Sequence, residues 1–209
     1  MPKVKTDTAS TRRSLEALTA GQYELVRDRW LARIIETKKR RRISLGQDCT
    51  VTFENRALIE FYLQERLRAD NVTSSQRMED IIAEHHALLP YPGELRATLL
   101  IHGADNARCG LLAKRLCDTF SPISLSIGGN RIRGSAIAPS PGAVHYLSFT
   151  LPANGNRKIG MRGMSLSLAY EEECVEVTVP TPAVCEIVRD LQMCHGRCQL
   201  VTSQVRKHA

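Results

Sequence analysis

Residues 38–68, KKRRRISLGQDCTVTFENRALIEFYLQERLR, constrain what this chain can fold into more than any other stretch. They join the densest charge in the sequence to a β-branched alternating segment and then to the most apolar helix. A helix end, a strand and a central helix must therefore fit within one short run. The five cations Lys38, Lys39, Arg40, Arg41 and Arg42 supply most of the formal net charge of +7, and without them it falls to +2. The basicity is local. A local patch suits docking to an acidic surface or to phosphate, whereas evenly spread charge says little beyond solubility. A helix C-terminus also accepts such a run, because the macrodipole places partial negative charge there. The two readings, a solvated helix end and a binding patch, both put the five side chains at the surface. On either, glutamine replacements should leave stability nearly unchanged.

The elements on either side follow from caps and periodicity. Residues 1–15 are polar and basic with little to bury and read as a flexible arm. Thr19 and Gln22 form a capping box, after which Tyr23, Val26, Trp30 and Ile34 recur as a buried helical stripe ending in the basic run. Residues 43–53 read as one strand, which Gly46-Gln47-Asp48 bends or bulges, with Cys49, Val51 and Phe53 on one side. Asn55 caps a helix from Arg56 to about Ala69, apolar around most of its circumference and so covered on more than one side. Ser74 or Ser75 caps a third helix with Met78, Ile81, Ile82 and Leu89 on its stripe, and His85 among them.

Further on, a strand at 94–101 precedes a helix from Asp105 to about Phe120, with Cys109, Leu112, Leu116 and Phe120 inward. The character then turns to β. Ile123, Leu125 and Ile127 alternate, Gly128-Gly129-Asn130 makes a hairpin turn, and residues 132–138 return. Strands at 144–151, 164–168 and around Val175, Val177 and Val179 follow, and Thr181-Pro182 opens a last helix carrying Val184, Ile187, Val188 and Leu191. Short strands joined by turns pair antiparallel. The expectation is an α+β fold, a largely antiparallel sheet of about six to seven strands packed by four to five helices. It forms a single domain over 16–192 with a tail at 193–209.

Chemistry is sparser. Seven cysteines are an odd number scattered along the chain, as expected of reduced thiols. The first 17 residues hold no leader-like apolar run, and no stretch approaches the roughly 18 apolar residues that span a bilayer. The expectation is a cytoplasmic protein with no membrane partner. Cys194, His195 and Cys198 are ligand types that hold iron or zinc, yet a closed site needs four and only Cys185 or Cys174 is left to complete it. The pair reads equally as a redox thiol pair or as plain tail. Glu65 lies toward the covered face of its helix, with Arg66 and Arg68 as candidate partners, and can be structural, a metal ligand or an acid/base group. No glycine-rich phosphate loop, GxSxG elbow, HExxH or paired HxE and PCxxC motif occurs.

The segments LTAGQYELVRDRW, KKRRRISLG, VTFENR and LQERLRAD, with ELRATLLI at 94–101 and AVHYLSF at 143–149, resemble a bacterial family known only as domain of unknown function 3501. The resemblance covers roughly residues 15–192. Its pattern positions here are Lys39, Arg42, Leu45, Gly46, Phe53, Glu54, Asn55, Gln64, Glu65, Leu67, Arg68 and His145. The chain departs from the pattern at Pro139-Ser140-Pro141-Gly142 and at Arg66, where a methionine is expected. Genes of that family often lie beside a rubrerythrin-like protein and an iron–sulfur oxidoreductase. The resemblance thus implies a non-catalytic accessory subunit of a redox system, docking a diiron or iron–sulfur protein through Lys38 to Arg42, with Glu54, Asn55, Glu65, Arg68 and His145 as a possible pocket. Two alternatives stand beside it. One is nucleic-acid binding through the basic run, and the other a metal-dependent enzyme component using Glu54, Glu65 and His145 or the Cys194 and Cys198 pair.

Overall fold

The computed structural model describes residues 15–102, 106–116, 122–137, 142–152, 163–170 and 173–192. The expected arm, up to residue 14, and the Cys194, His195 and Cys198 tail lie outside the described residues.

Helix α1 (Ala20–Lys39) starts at the expected capping box, with the Thr19 hydroxyl accepting from Gln22 N–H and the Gln22 side chain accepting from Thr19 N–H. Its buried residues are Tyr23 and Ile34. Trp30 is half-buried, wedged edge-on between Tyr23 and Phe61 with ring centroids 5.8 and 6.0 Å away. Helix α2 (Arg56–Ala69) is capped by Asn55, whose side chain accepts from Leu58 N–H, and it buries residues around its circumference from Leu58 to Leu67. Helix α3 (Ser75–His86) is capped by Ser74. Ile59, Leu63, Leu67, Ile81 and Leu89 pack α2 against α3, and Leu15 joins them. At 4% exposed, Leu15 belongs to the domain rather than to the arm. His85 is half-buried, its Nδ1 lying 2.8 Å from the Ile81 carbonyl oxygen.

The expected single strand at 43–53 is instead a hairpin of β1 (Arg42–Leu45) and β2 (Cys49–Phe53). Leu45 pairs with Cys49 across a loop that Gly46 enters at φ +71°, a left-handed conformation that reverses the chain rather than bending it. The remaining elements are β3 (Glu94–Ile101), α4 (Asn106–Leu116), β4 (Ile123–Ile127), β5 (Asn130–Arg133), β6 (Ser135–Ala136), β7 (Val144–Thr150), β8 (Met164–Tyr170), β9 (Glu173–Thr178) and α5 (181–192). The α+β class and the antiparallel pairing are as the sequence implied. Among the described residues the strands number nine, in two sheets ordered β1-β2-β3-β7-β6 and β5-β4-β8-β9.

The two sheets face each other. Val51, Phe53, Leu99, Leu147 and Phe149 of the first meet Leu125, Ile127, Leu166 and Leu168 of the second, and Leu116 of α4 and Ile187 of α5 close the same core. Strand alternation fixes what lies on the other side of the first sheet. There Arg42 pairs with Thr52, Thr52 with Thr98, and Thr98 with Tyr146, so one polar row crosses four strands.

Candidate functional site

Glu54 sits between the end of β2 and the Asn55 cap, on the side of the first sheet that carries the polar row. It is 6% exposed. Its Oε1 accepts from the Thr98 hydroxyl at 2.7 Å and from the Tyr62 hydroxyl at 3.4 Å. Its Oε2 is buried with no hydrogen-bond partner among the described residues. Burial pushes the carboxyl up to about 7, against the opposing pull of Thr98, Lys38, Tyr62 and Arg41. A carboxyl group so placed changes its protonation near neutrality, and can donate a hydrogen bond as an acid or accept one as a base.

Lys38 is near enough for its charge to act on this group. Its ammonium lies 4.6 Å from the centroid of the Tyr62 ring, a cation–π contact, and burial lowers its pKa while Glu54 holds it up. Burial, reinforced by the negative charge of Glu54, raises both tyrosines, Tyr62 and Tyr146. The site is thus a buried acid with two hydroxyl-bearing rings and a half-buried ammonium around it.

The basic run does not lie on the surface as a unit. Arg41 is 1% exposed, its guanidinium donating to Asp190 Oδ2 at 2.6 Å and to Glu186 Oε2 at 3.2 Å on α5. A turn produces this. Arg41 N–H donates to the Lys38 carbonyl and the Arg41 carbonyl accepts from Phe53 N–H, which aims the side chain inward beneath α5. The surface expectation therefore fails for Arg41, and Lys38 is half-buried against the Tyr62 ring. Lys39, Arg40 and Arg42 remain exposed, Lys39 bonded to Glu36 at 2.7 Å and Arg40 at 3.9 Å from Glu186.

The other candidates are dispersed. Glu65 accepts from Tyr23 OH at 2.6 Å and from Arg27 Nε at 2.8 Å, and these bonds to Arg27 and Tyr23 hold its pKa low despite some burial. Its expected partners are engaged elsewhere, Arg66 with Asp70 at 2.7 Å and Arg68 with Glu24 at 2.6 Å, because the Glu65 side of α2 faces α1. His145 precedes Tyr146 and so points to the opposite side of the sheet, into the core, where burial lowers its pKa. Glu54, Glu65 and His145 therefore occupy three separate places, and Asn55 serves as a cap. Among the described residues no three His, Cys, Asp or Glu side chains gather to hold a metal ion. Tyr62, Thr98 and Tyr146 were missed by sequence reasoning. Polar residues at alternate positions of the strand, Glu94, Arg96 and Thr98, were the available signal.

The family model of a protein of unknown function, DUF3501, matches residues 11–191 of this chain. A crystal structure of a protein of unknown function from Burkholderia pseudomallei superposes with a TM-score of 0.76 at 22% identity, covering 87% of this chain and 99% of that one. That likeness shows the fold. No curated protein matches the chain. No helix among the described residues is long and apolar enough to cross a membrane.

Proposed function

We propose, from the premise that this chain belongs to the DUF3501 family of proteins of unknown function, that it is an accessory subunit of a cytoplasmic redox system and docks an acidic partner through the outer side of α1 and the exit of that helix. The observation that carries the reading is the exposed face of α1. There Leu25, 88% exposed, is followed one and two turns on by Arg29 and Arg33, exposed cations that make no ion pair among the described residues. Lys39, Arg40 and Arg42 extend the same positive field beyond the helix end. An exposed leucine followed along the helix by unpaired cations suits a transient protein contact, in which rim charges raise the association rate more than the affinity. The gene neighbourhood of the resembling family names the partner class, a rubrerythrin-like diiron protein or an iron–sulfur oxidoreductase.

The test uses those two proteins, purified from the same source, titrated onto the full chain at low and at high salt. Charge reversal at Lys39, Arg40 and Arg42 together should weaken binding at least about tenfold and flatten its salt dependence. Arg41 is left intact so that folding is not disturbed. Unchanged affinity in the triple variant would sink the proposal, and so would preferential binding of duplex or single-stranded DNA with a steep salt dependence.

A further inference from the structure

The outward side of the first sheet is only partly roofed. Thr98, Tyr146 and Tyr62 are half-buried around Glu54, whereas Arg42, at the β1 end of the same row, is exposed. Lys38 and Arg42 make no ion pair among the described residues, and the Tyr146 hydroxyl makes no hydrogen bond among them. Arg42 is near enough to act electrostatically on both Lys38 and Tyr62. One step further along the strands lies a second row in register, Ser44 with Thr50, Thr50 with Leu100, and Leu100 with Val144. Its two apolar members are open to solvent, Leu100 at 37% and Val144 at 39%. Two residues along a strand span roughly 7 Å, so this apolar shelf directly adjoins the polar row.

These features fit one kind of ligand. Arg42 makes no ion pair among the described residues and Lys38 faces only the buried Glu54, so both can take up negative charge, and a guanidinium engages a carboxylate with two parallel bonds. The buried, unpartnered Oε2 of Glu54 calls for a hydrogen-bonding partner of its own. The adjoining Leu100 and Val144 call for hydrocarbon. We propose that the outward face of the first sheet binds a small carboxylic acid with a short hydrocarbon body, its carboxylate held by Arg42 and Lys38 beside Glu54 and its chain lying over Leu100 and Val144. The protonated Glu54 carboxyl donates to the bound carboxylate, and the ionised form repels it. The charged and titratable groups facing Glu54 are Lys38 from α1, Arg41 from the turn, Tyr62 from α2 and Tyr146 from β7, with Thr98 of β3 hydrogen-bonded to it. Burial brings the Glu54 carboxyl to about 7, so its protonation sets the pH dependence. The site shares Arg42 with the docking proposal but not Lys39 or Arg40, so the two readings can be tested apart.

Hexanoate, acetate and inorganic phosphate, titrated separately onto the full chain by calorimetry at pH about 6 and about 8, test this on either side of the Glu54 transition. Hexanoate should bind saturably, more tightly than acetate, and about tenfold more tightly at the lower pH. Glu54→Gln should keep the lower-pH affinity and lose the pH dependence, while Arg42→Gln should weaken hexanoate at both. Leu100→Asn, a surface change that leaves the acid intact, should remove the preference for hexanoate over acetate. Absence of saturable hexanoate binding would overturn the proposal, as would indifference to Arg42→Gln or to Leu100→Asn, or a pH difference that survives in Glu54→Gln. Phosphate binding more tightly than hexanoate would overturn the ligand class. Charge reversal at Lys39 and Arg40 should leave hexanoate binding unchanged, which separates failure here from failure of the docking reading.

Discussion

Arg41 donates from Nη1 to Asp190 Oδ2 at 2.6 Å across 149 residues of chain, so the middle cation of a five-residue basic run ties the α1 exit to α5. With Glu186 as second acceptor and 1% of its side chain exposed, Arg41 is an ion-paired core residue. Burial raises the Asp190 pKa and the Arg41 charge opposes that rise, as in a pair whose members are each costly without the other. Arg41→Gln should therefore cost about 3 kcal/mol or more in urea denaturation, since it leaves two acids facing each other without their counter-charge. Glutamine at Lys39, Arg40 or Arg42 should stay within about 0.5 kcal/mol. Equal, small losses at all of these positions would mean that Arg41 is not held as described.

Glu54 predicts an unusual pH profile. Its carboxyl is raised from 4.5 to about 7 in the folded protein. Between those values the folded state holds a proton that the unfolded chain has released, so stability falls as pH rises through the window. Below it both states are protonated and there is no cost. Above about pH 7 the loss levels off at about 3 kcal/mol, the equivalent of the full shift. Glu54→Gln should flatten that segment of the stability curve measured by denaturant titration. A wild-type curve already flat between pH about 4.5 and about 7 would contradict the burial of an ionisable group there.

What could be read in advance was local, and what could not was distant. Thr19, Asn55 and Ser74 cap their helices because a side-chain oxygen reaches a backbone N–H only three residues away. Gly128 and Gly129 turn the β4–β5 hairpin because both adopt positive φ, which only glycine takes without cost. Alternation likewise put Cys49, Val51 and Phe53 on one face. The burial of Arg41 depends on acids 145 and 149 residues later, and no periodicity carries that information. The partner of Glu54 depends on strand register, because Thr98 reaches it only once β3 lies beside β2. A carboxylate on a helix face says nothing about which neighbouring helix will meet it, and so Glu65 found Tyr23 and Arg27 rather than its own near neighbours.

That last contact can be tested alone. Tyr23 is 2% exposed and donates to Glu65 at 2.6 Å, a charge-assisted bond joining α1 to α2. Tyr23→Phe keeps the ring between the helices and removes only the hydroxyl, so it should cost about 1.5–3 kcal/mol at neutral pH. Because Glu65 is held below its ordinary pKa, its contribution is present above that ordinary value and is lost as pH falls through the lowered one. The difference between wild type and Tyr23→Phe should therefore shrink in acid. A difference constant from neutral pH into acid would indicate that the bond to the ionised carboxylate is not what the hydroxyl supplies.

Gly134 marks where the chain leaves β5 in one sheet and enters β6 in the other, and the crossing is tight. A Cβ at that position would lie 2.8 Å from Ile123 Cγ2 and 2.9 Å from Phe149 Cε1, both side chains of the buried core. Neither can swing into solvent, so Gly134→Ala must displace packed atoms and should cost about 1–3 kcal/mol by the ordinary penalty for overfilling a core. Gly110 in α4 offers the contrast, since a Cβ there meets nothing within 4 Å. Gly110→Ala should be neutral or raise stability by up to about 1 kcal/mol through better helix propensity. Thermal melts of the two variants should therefore shift in opposite directions, or Gly134→Ala alone should fall. If Gly134→Ala melts with wild type, the close approach of the β5–β6 crossing to Phe149 is not a constraint on how the two sheets are joined.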